Sequence, residues 1–447
     1  MHRQTLLCVL VLGLSLFLSS ANQIASAEDW PQWRGANRDG VWKETGLVEK
    51  FSAEQIPIRW SSKISSGYSG PTVAQGRVYV TDRLVEPAQQ ERVHCFDEQT
   101  GKPLWSHTYD CVYSGVGYEA GPRASVTIDD GRAYSLGTMG HLFCFDAASG
   151  QILWQHDCDK EYAIEMPIWG IAASPIIDGD LVIVQIGGQG ACLVAFDRKT
   201  GKERWKALDD RASYSSPIFI EQAGRKVLVC WTGDNVVGLD PQSGTVHWKY
   251  PFKPTRMVIN IATPVVSHDR MFVTSFYDGA AMLDVDPAKL AVKEIWRKLG
   301  PDEIHTEALH SIISTPVFQG DYVYGVDSYG ELRCLDAKTG DRIWENLTAT
   351  PKVRWGTIHF VQNGDKVWMF NERGELIISR LSPEKRIVDG QPTDGFEEIS
   401  RAKLLEPTLE QLNRRGVGVC WAHPAFANRH VFARSDDQLV SASLAAE

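Results

Sequence analysis

The chain has 447 residues, of which 43% are hydrophobic and 23% charged, enough apolar material for a large core and too much for a disordered chain. Its formal charge of −10 excludes nucleic acid and anionic membrane as partners recruited by bulk electrostatics.

At the N-terminus, Arg3 precedes an apolar run from Leu6 to Leu18 that is too short to span a bilayer, and Ala25-Ser26-Ala27 follows as a small-residue cleavage site. This order predicts a signal peptide over residues 1–27, with Glu28 as the first mature residue and an exported, periplasmic or extracellular protein. Cys8 lies inside the apolar run and not at the cleavage point, so no lipid anchor is expected, and no second long apolar run offers a membrane span. Residues 28–56 carry turn signals and three tryptophans without sustained periodicity, which predicts an extended arm packed over the outside of the fold. In that arm Trp30, Trp33 and Trp42 are read as anchors and not as surfaces for stacking a ligand.

From residue 57 onward the sequence repeats. DEQTGKPLW at Asp97, DAASGQILW at Asp146, DRKTGKERW at Asp197, DPQSGTVHW at Asp240 and DAKTGDRIW at Asp336 are copies of one pattern. Each predicts a strand, a tight turn and a second strand: the Asp and the Thr or Ser bond turn backbone, and glycines such as Gly101 supply a positive φ. The terminal Trp is the large apolar wedge. Upstream, each repeat opens with a Pro-headed strand, and its third strand is apolar on both faces, as in HLFCFD, which is what a sheet sandwiched between two others requires. One such unit cannot bury both of its faces, and a period of roughly forty residues with short strands predicts propeller blades.

Starting strands at Pro71, Pro122, Pro175, Pro217, Pro264, Pro316, His359 and Pro424 predict eight blades. Blade five departs from the pattern after Asp284, with no Gly turn, and blade seven takes its fourth strand from residues 396–405. The last unit has three strands and residues 57–64 form an orphan strand around Trp60, so the expected fold is all-β: an eight-bladed propeller of four-stranded antiparallel blades, residues 57–447, closed by pairing that N-terminal strand with the C-terminal blade. Cys95, Cys144 and Cys334 share one repeat position and are read as small core residues, while Cys111 and Cys158 form the pair to test as a disulfide.

The five copies of D-x-x-[TS]-G-x-x-x-W resemble the tryptophan-docking repeat of pyrroloquinoline-quinone (PQQ)-type propellers, and the resemblance covers nearly the whole mature chain. That family includes quinoprotein alcohol and glucose dehydrogenases, which bind the quinone with calcium, and a non-catalytic propeller lipoprotein that assists outer-membrane protein assembly. WPQWRGANRDG and NERGELIISRLSP also resemble a group of secreted planctomycete-type propellers, for which the resemblance implies no activity. Against a catalytic quinoprotein, the chain lacks the adjacent Cys pair that the resemblance would imply, and it has no C-x-x-C-H haem attachment.

The loops from strand four to strand one gather on one face around the channel, where propeller ligands sit. Blade one to two supplies Tyr118, Glu119 and Arg123, and Tyr68 precedes blade one; the later loops supply Glu165, Trp169, Tyr214, Asn260 and His310, then Arg354, Trp355, Trp421 and His423. Of these, Arg123, Glu165, Trp169, Asn260, Trp355 and Trp421 are the candidate cofactor-binding residues. Aromatic rings with Arg and Asn suit a planar quinone or a sugar, and the carboxylates suit Ca²⁺; the same side chains also serve simply to fill the channel mouth. Arg123, expected within blade two's first strand, needs Glu119, Glu165 or an anionic ligand as its partner. HTEALH lacks the order of a zinc helix, and IGGQGA between strands is read as a hairpin loop.

The leading expectation is a non-catalytic binding or scaffold propeller that takes a protein partner or a small polar ligand at the channel face. The alternative is a PQQ-dependent oxidoreductase acting on an alcohol or sugar, and a carbohydrate-binding propeller is a third class.

Overall fold

The computed structural model describes residues 28–388, 390–408 and 417–446; the expected signal peptide lies outside the described residues. Eight four-stranded antiparallel sheets form the ring, each in simple up-and-down order except the one that closes it. In blade one the strands are Thr72–Ala74, Arg77–Leu84, Gln90–Asp97 and Pro103–Asp110. The first is buried throughout and the fourth is largely exposed, and first strands of neighbouring blades touch one another, so they line the central channel.

The repeat motif works between blades. Trp105 Nε1 donates to the Ala147 carbonyl at 3.0 Å, and Trp154, Trp205 and Trp296 reach the carbonyls of Arg198, Pro241 and Ala337 in the same way. In each case the acceptor follows the turn Asp of the next blade. The turn glycine is the floor under the indole: Gly150 has φ +75°, and a Cβ there would lie 2.6 Å from the Trp105 ring. Glycine is therefore required twice, by backbone conformation and by close approach.

Blade five has no such glycine, and its turn is built on Asp286, not Asp284: Asp286 Oδ1 accepts the N–H groups of Ala288 and Lys289. Trp248 of blade four consequently donates to the side chain of Gln222 at 2.9 Å. Gln222 in turn donates to the Asp286 and Ala291 carbonyls of blade five, so one amide relays the contact that the missing turn would have supplied. In blade seven the fourth strand is Phe396–Lys403, as the sequence predicts, after a connection carrying a small hairpin of Arg386–Val388 and Gln391–Thr393.

Closure follows expectation. Ile58–Lys63 pairs antiparallel with Gln438–Ser443 and completes blade eight. Trp60 then docks on blade one as the other tryptophans dock, its Nε1 2.8 Å from the Glu98 carbonyl. Buried Arg434 adds a second seam, donating to the carbonyls of Thr81 and Ser65. Gly70 makes a third possible: a Cβ there would sit 2.2 Å from the His423 carbonyl, so its absence lets His423 of blade eight cross to Ser125 before blade two.

Two expectations fail. Residues 28–56 do not pack over the outside alone. Trp30 pairs with Val73, Ile128 N–H donates to the Pro31 carbonyl, and Trp42 N–H donates to Gln362, all on inner strands. The intervening loop enters the channel, where Trp33 Nε1 bonds Thr263 Oγ1 at 2.8 Å and buried Arg38 donates to the carbonyls of Ser174, Pro175 and Pro217. Short inner strands leave these carbonyls facing the channel, and the arm supplies their donors. Trp30 and Trp42 are anchors, buried against Phe426. Secondly, Cys111 and Cys158 are free and buried. Cys111 lies 3.9 Å from His141 Nδ1, whereas Cys158 opens the short helix Cys158–Tyr162 and packs in the core between blades two and three.

Candidate functional site

At the N-terminal ends of the inner strands, opposite the entry of the arm, lies a cavity of about 140 Å³. Its walls are Tyr68, Tyr118, Trp169, Tyr214, Trp355 and Trp421, and Trp33 joins them from the arm. These rings support each other mostly edge to face. Tyr118 stands 5.7 Å from Trp169 and 5.9 Å from Trp355, at 83° and 77°, and Trp33 meets His423 at 4.6 Å and 88°. Two of the rings are carried on left-handed backbone, Tyr118 at φ 56° and Trp355 at φ 70°. A non-glycine residue held there costs on the order of 1–3 kcal/mol, so the packing around the cavity over-determines both positions.

The structure brings together four of the six candidate residues, Arg123, Trp169, Trp355 and Trp421. The other two lie elsewhere. Glu165 is exposed and outside the cavity lining, and Asn260 is fully buried behind the wall, its Nδ2 donating to the Thr232 carbonyl at 3.0 Å. Nor does His310 reach the cavity; its Nδ1 bonds the Phe276 carbonyl. Arg354 lines an adjoining recess and is held bidentately by Glu303 at 2.9 and 3.0 Å.

Arg123 corrects the sequence reading most sharply. It lies in the loop before blade two's first strand, Thr127–Asp129, and neither Glu119 nor Glu165 pairs with it. Its guanidinium donates to the carbonyls of Gly117, Gly121 and Tyr118 and to Thr138 Oγ1, and it stands 5.0 Å over the Tyr68 ring. Glycine-rich SGVGYEAG lets this loop curl so that its own carbonyls surround the cation, a compensation that a search for carboxylates overlooks. Glu119 is exposed beside Arg83.

Trp33 and His359 are lining residues that the sequence reading did not place at the channel mouth. Trp33, expected as an anchor, and His359, expected at the head of a strand, both face the cavity because the arm and blade seven converge there. Burial pulls His359 down to about 4 and His423 to about 3, so both imidazoles are neutral at pH 7. His423 Nδ1 donates to the Pro424 carbonyl, leaving Nε2 to accept the Ser125 hydroxyl at 2.6 Å. A Ser–His contact of that length has the form of a nucleophile and its base. Ser125, however, is fully buried and outside the cavity lining, and the imidazole is a weak base, so the pair joins blades two and eight.

The family model described as outer membrane protein assembly factor BamB matches residues 89–346. The chain belongs to this family of PQQ-type propellers. Among curated proteins it is 24% identical to lupanine 17-hydroxylase [cytochrome c] of a Pseudomonas species over 235 residues, 50% of this chain and 30% of that protein. It is 22% identical to BamB of Yersinia pestis over 209 residues, 44% of this chain and 50% of that protein. The matches thus span half or less of either relative. Among solved structures, BamB from Moraxella catarrhalis superposes with a TM-score of 0.57 at 17% identity, covering 87% of this chain and 99% of that one. A quinohemoprotein alcohol dehydrogenase from Comamonas testosteroni gives 0.60 at 14% identity, covering 94% and 81%. These structural likenesses share the fold.

The cavity residues do not fit the quinone and calcium that the quinoprotein branch implies. Among the described residues no Asp or Glu is in the lining, and no three His, Cys, Asp or Glu are gathered to hold a metal ion. PQQ is a fused tricycle with three carboxylates, and Arg123, the arginine among the described lining residues, already uses both terminal nitrogens on its own loop and Thr138. Among the described lining residues no carboxylate is present to hold a metal, and most of the wall is aromatic and aliphatic.

Proposed function

We propose that this protein is an exported, non-catalytic binding or scaffold propeller whose site is the aromatic cavity at the channel mouth. The observation that carries this reading is the lining itself: among the described residues, a cage of aromatic rings whose guanidinium, Arg123, is bonded to backbone carbonyls and which offers no carboxylate to a metal. Such walls supply contact area and shape, and catalysis needs groups that change charge. Export is supported by the leader-like order of residues 1–27, and a protein partner by kinship with a family described as an outer membrane assembly factor. We read the mature chain as the arm, residues 28–56, and one propeller domain, residues 57–447. Among the described residues no helix is long and apolar enough to cross a membrane.

The second reading, a PQQ-dependent oxidoreductase acting on an alcohol or sugar, is favoured by the sequence match to lupanine 17-hydroxylase [cytochrome c]. The two are separated by incubating the mature protein with PQQ and Ca²⁺ and following quinone absorbance and dye reduction with alcohol and sugar substrates. The expected result is no turnover. Saturable quinone binding with turnover overturns the non-catalytic reading.

A further inference from the structure

We infer that the cavity at the channel mouth takes one uncharged aromatic ring of benzene or phenol size. This rests on the binding reading above and names its ligand class. Size is the first argument. An apolar protein cavity of roughly 150 Å³ is known to stay dry and to admit benzene, and this one measures about 140 Å³. A single six-membered ring fills that space, while a fused tricycle would have to extend out of it toward the adjoining recess.

Charge is the second argument. Both terminal nitrogens of Arg123 already donate, to three carbonyls and Thr138 Oγ1, so a carboxylate would find no guanidinium fork left to bind bidentately. Ring faces alone attract an ammonium ligand, but here it would meet the Arg123 charge already seated over Tyr68, and among the described residues no carboxylate lines the cavity to offset that repulsion. The lining serines are engaged as well: Ser174 Oγ accepts the Ser125 N–H and Ser216 Oγ accepts the Ser174 N–H, both at 3.0 Å. What the walls present to an occupant is ring faces and edges, with Ile261 and Ile313 between them. Aromatic pairs prefer edge-to-face and offset contacts, so a planar arene gains from these walls more than a puckered ring of equal volume.

Access is the third argument. A second recess shares Tyr118, Trp169, Ile312 and Trp355 with the cavity, and its outer rim carries Ile168 and Met257, 45% and 40% exposed. Whatever bears the ring therefore leaves over an apolar lip. The ring has two sources consistent with that geometry, a free small arene and the side chain of a Phe or Tyr presented by a polypeptide, and the experiment separates them.

The mature protein is titrated with phenol, cyclohexanol, benzoate and benzylamine by calorimetry and tryptophan fluorescence. Phenol is expected to bind saturably with 1:1 stoichiometry, and the other three at least ten-fold more weakly. Ala172→Phe fills the cavity and is expected to abolish phenol binding without lowering the melting temperature; Ile313→Phe serves if that variant fails to fold. Benzoate binding as tight as phenol, or no saturable phenol binding by folded protein, overturns the assignment. If either occurs while PQQ gives no turnover, the ligand class fails and the non-catalytic reading stands; PQQ turnover removes both. For the source, N-acetylphenylalaninamide and a Phe-centred heptapeptide are compared with phenol. A ten-fold gain for the peptide that Ile168→Asp with Met257→Asp removes, phenol binding being unchanged, supports a polypeptide, and equal affinities support a free arene.

Discussion

Replacing Trp60 by Ala attacks the one blade that is assembled from both ends of the chain. Trp60 is 8% exposed, its Nε1 donates to the Glu98 carbonyl at 2.8 Å, and its ring lies on Gly101, where a Cβ would come within 2.5 Å. Truncating a buried Trp to Ala costs about 3–5 kcal/mol from lost transfer and residual cavity, and leaving the Glu98 carbonyl without its donor adds about 1 kcal/mol. A domain's whole stability is about 5–15 kcal/mol, so the loss is a large fraction of it. Trp205→Ala is the comparison, because Trp205 is also 8% exposed and makes the same contact to Pro241, but inside the continuous part of the ring. Urea midpoints followed by circular dichroism should fall for both variants to a similar extent. Only Trp60→Ala should expose residues 57–64 to limited proteolysis, since that strand is held to blade eight by its pairing with Gln438–Ser443 and not by a hairpin. A loss below about 1 kcal/mol for Trp60→Ala, or identical digestion of the two variants, would refute the argument that this tryptophan locks the ring.

Acid should loosen the channel mouth. His359 and His423 have folded values of about 4 and about 3, both lowered by burial and by Arg34 and, for His423, also by its neighbour His359, against an unfolded value of about 6.5. The unfolded chain takes up these protons first, so their contribution is fully present above about pH 6.5 and is lost as pH falls toward 4 and then 3; it is on the order of 3 kcal/mol for His359. Melts across that window should slope downward, and His359→Asn should flatten the slope; an unchanged slope counts against the assignment. Arg38→Ala should free the arm, because it strips donors from the carbonyls of Ser174, Pro175 and Pro217. Proteolysis within residues 31–40 should accelerate by ten-fold or more, as a loss of about 1.4 kcal/mol in local opening would give, while the propeller remains resistant.

Much of the fold was legible because its information is local and repeated. An Asp, a Thr or Ser and a Gly at fixed offsets bond their own turn, and the Trp that follows needs the next copy to dock on, so number, order and closure of the blades follow from short-range chemistry read five times. The chemistry of the site was less legible. Four candidates converge on the cavity, since aromatic residues in loops before inner strands must meet around the axis, but Glu165 and Asn260 have the same loop position and point elsewhere. What the sequence by itself determined is the repeat and hence the ring. Which side chains share the 140 Å³ at its mouth, that the Arg123 guanidinium is hydrogen-bonded by its own loop's carbonyls, and that WPQWRG turns inward to put Trp33 in the wall were decided by tertiary structure. Those outcomes depend on backbone donors and acceptors left over when eight separate sheets meet, and a backbone carbonyl has no letter in the sequence.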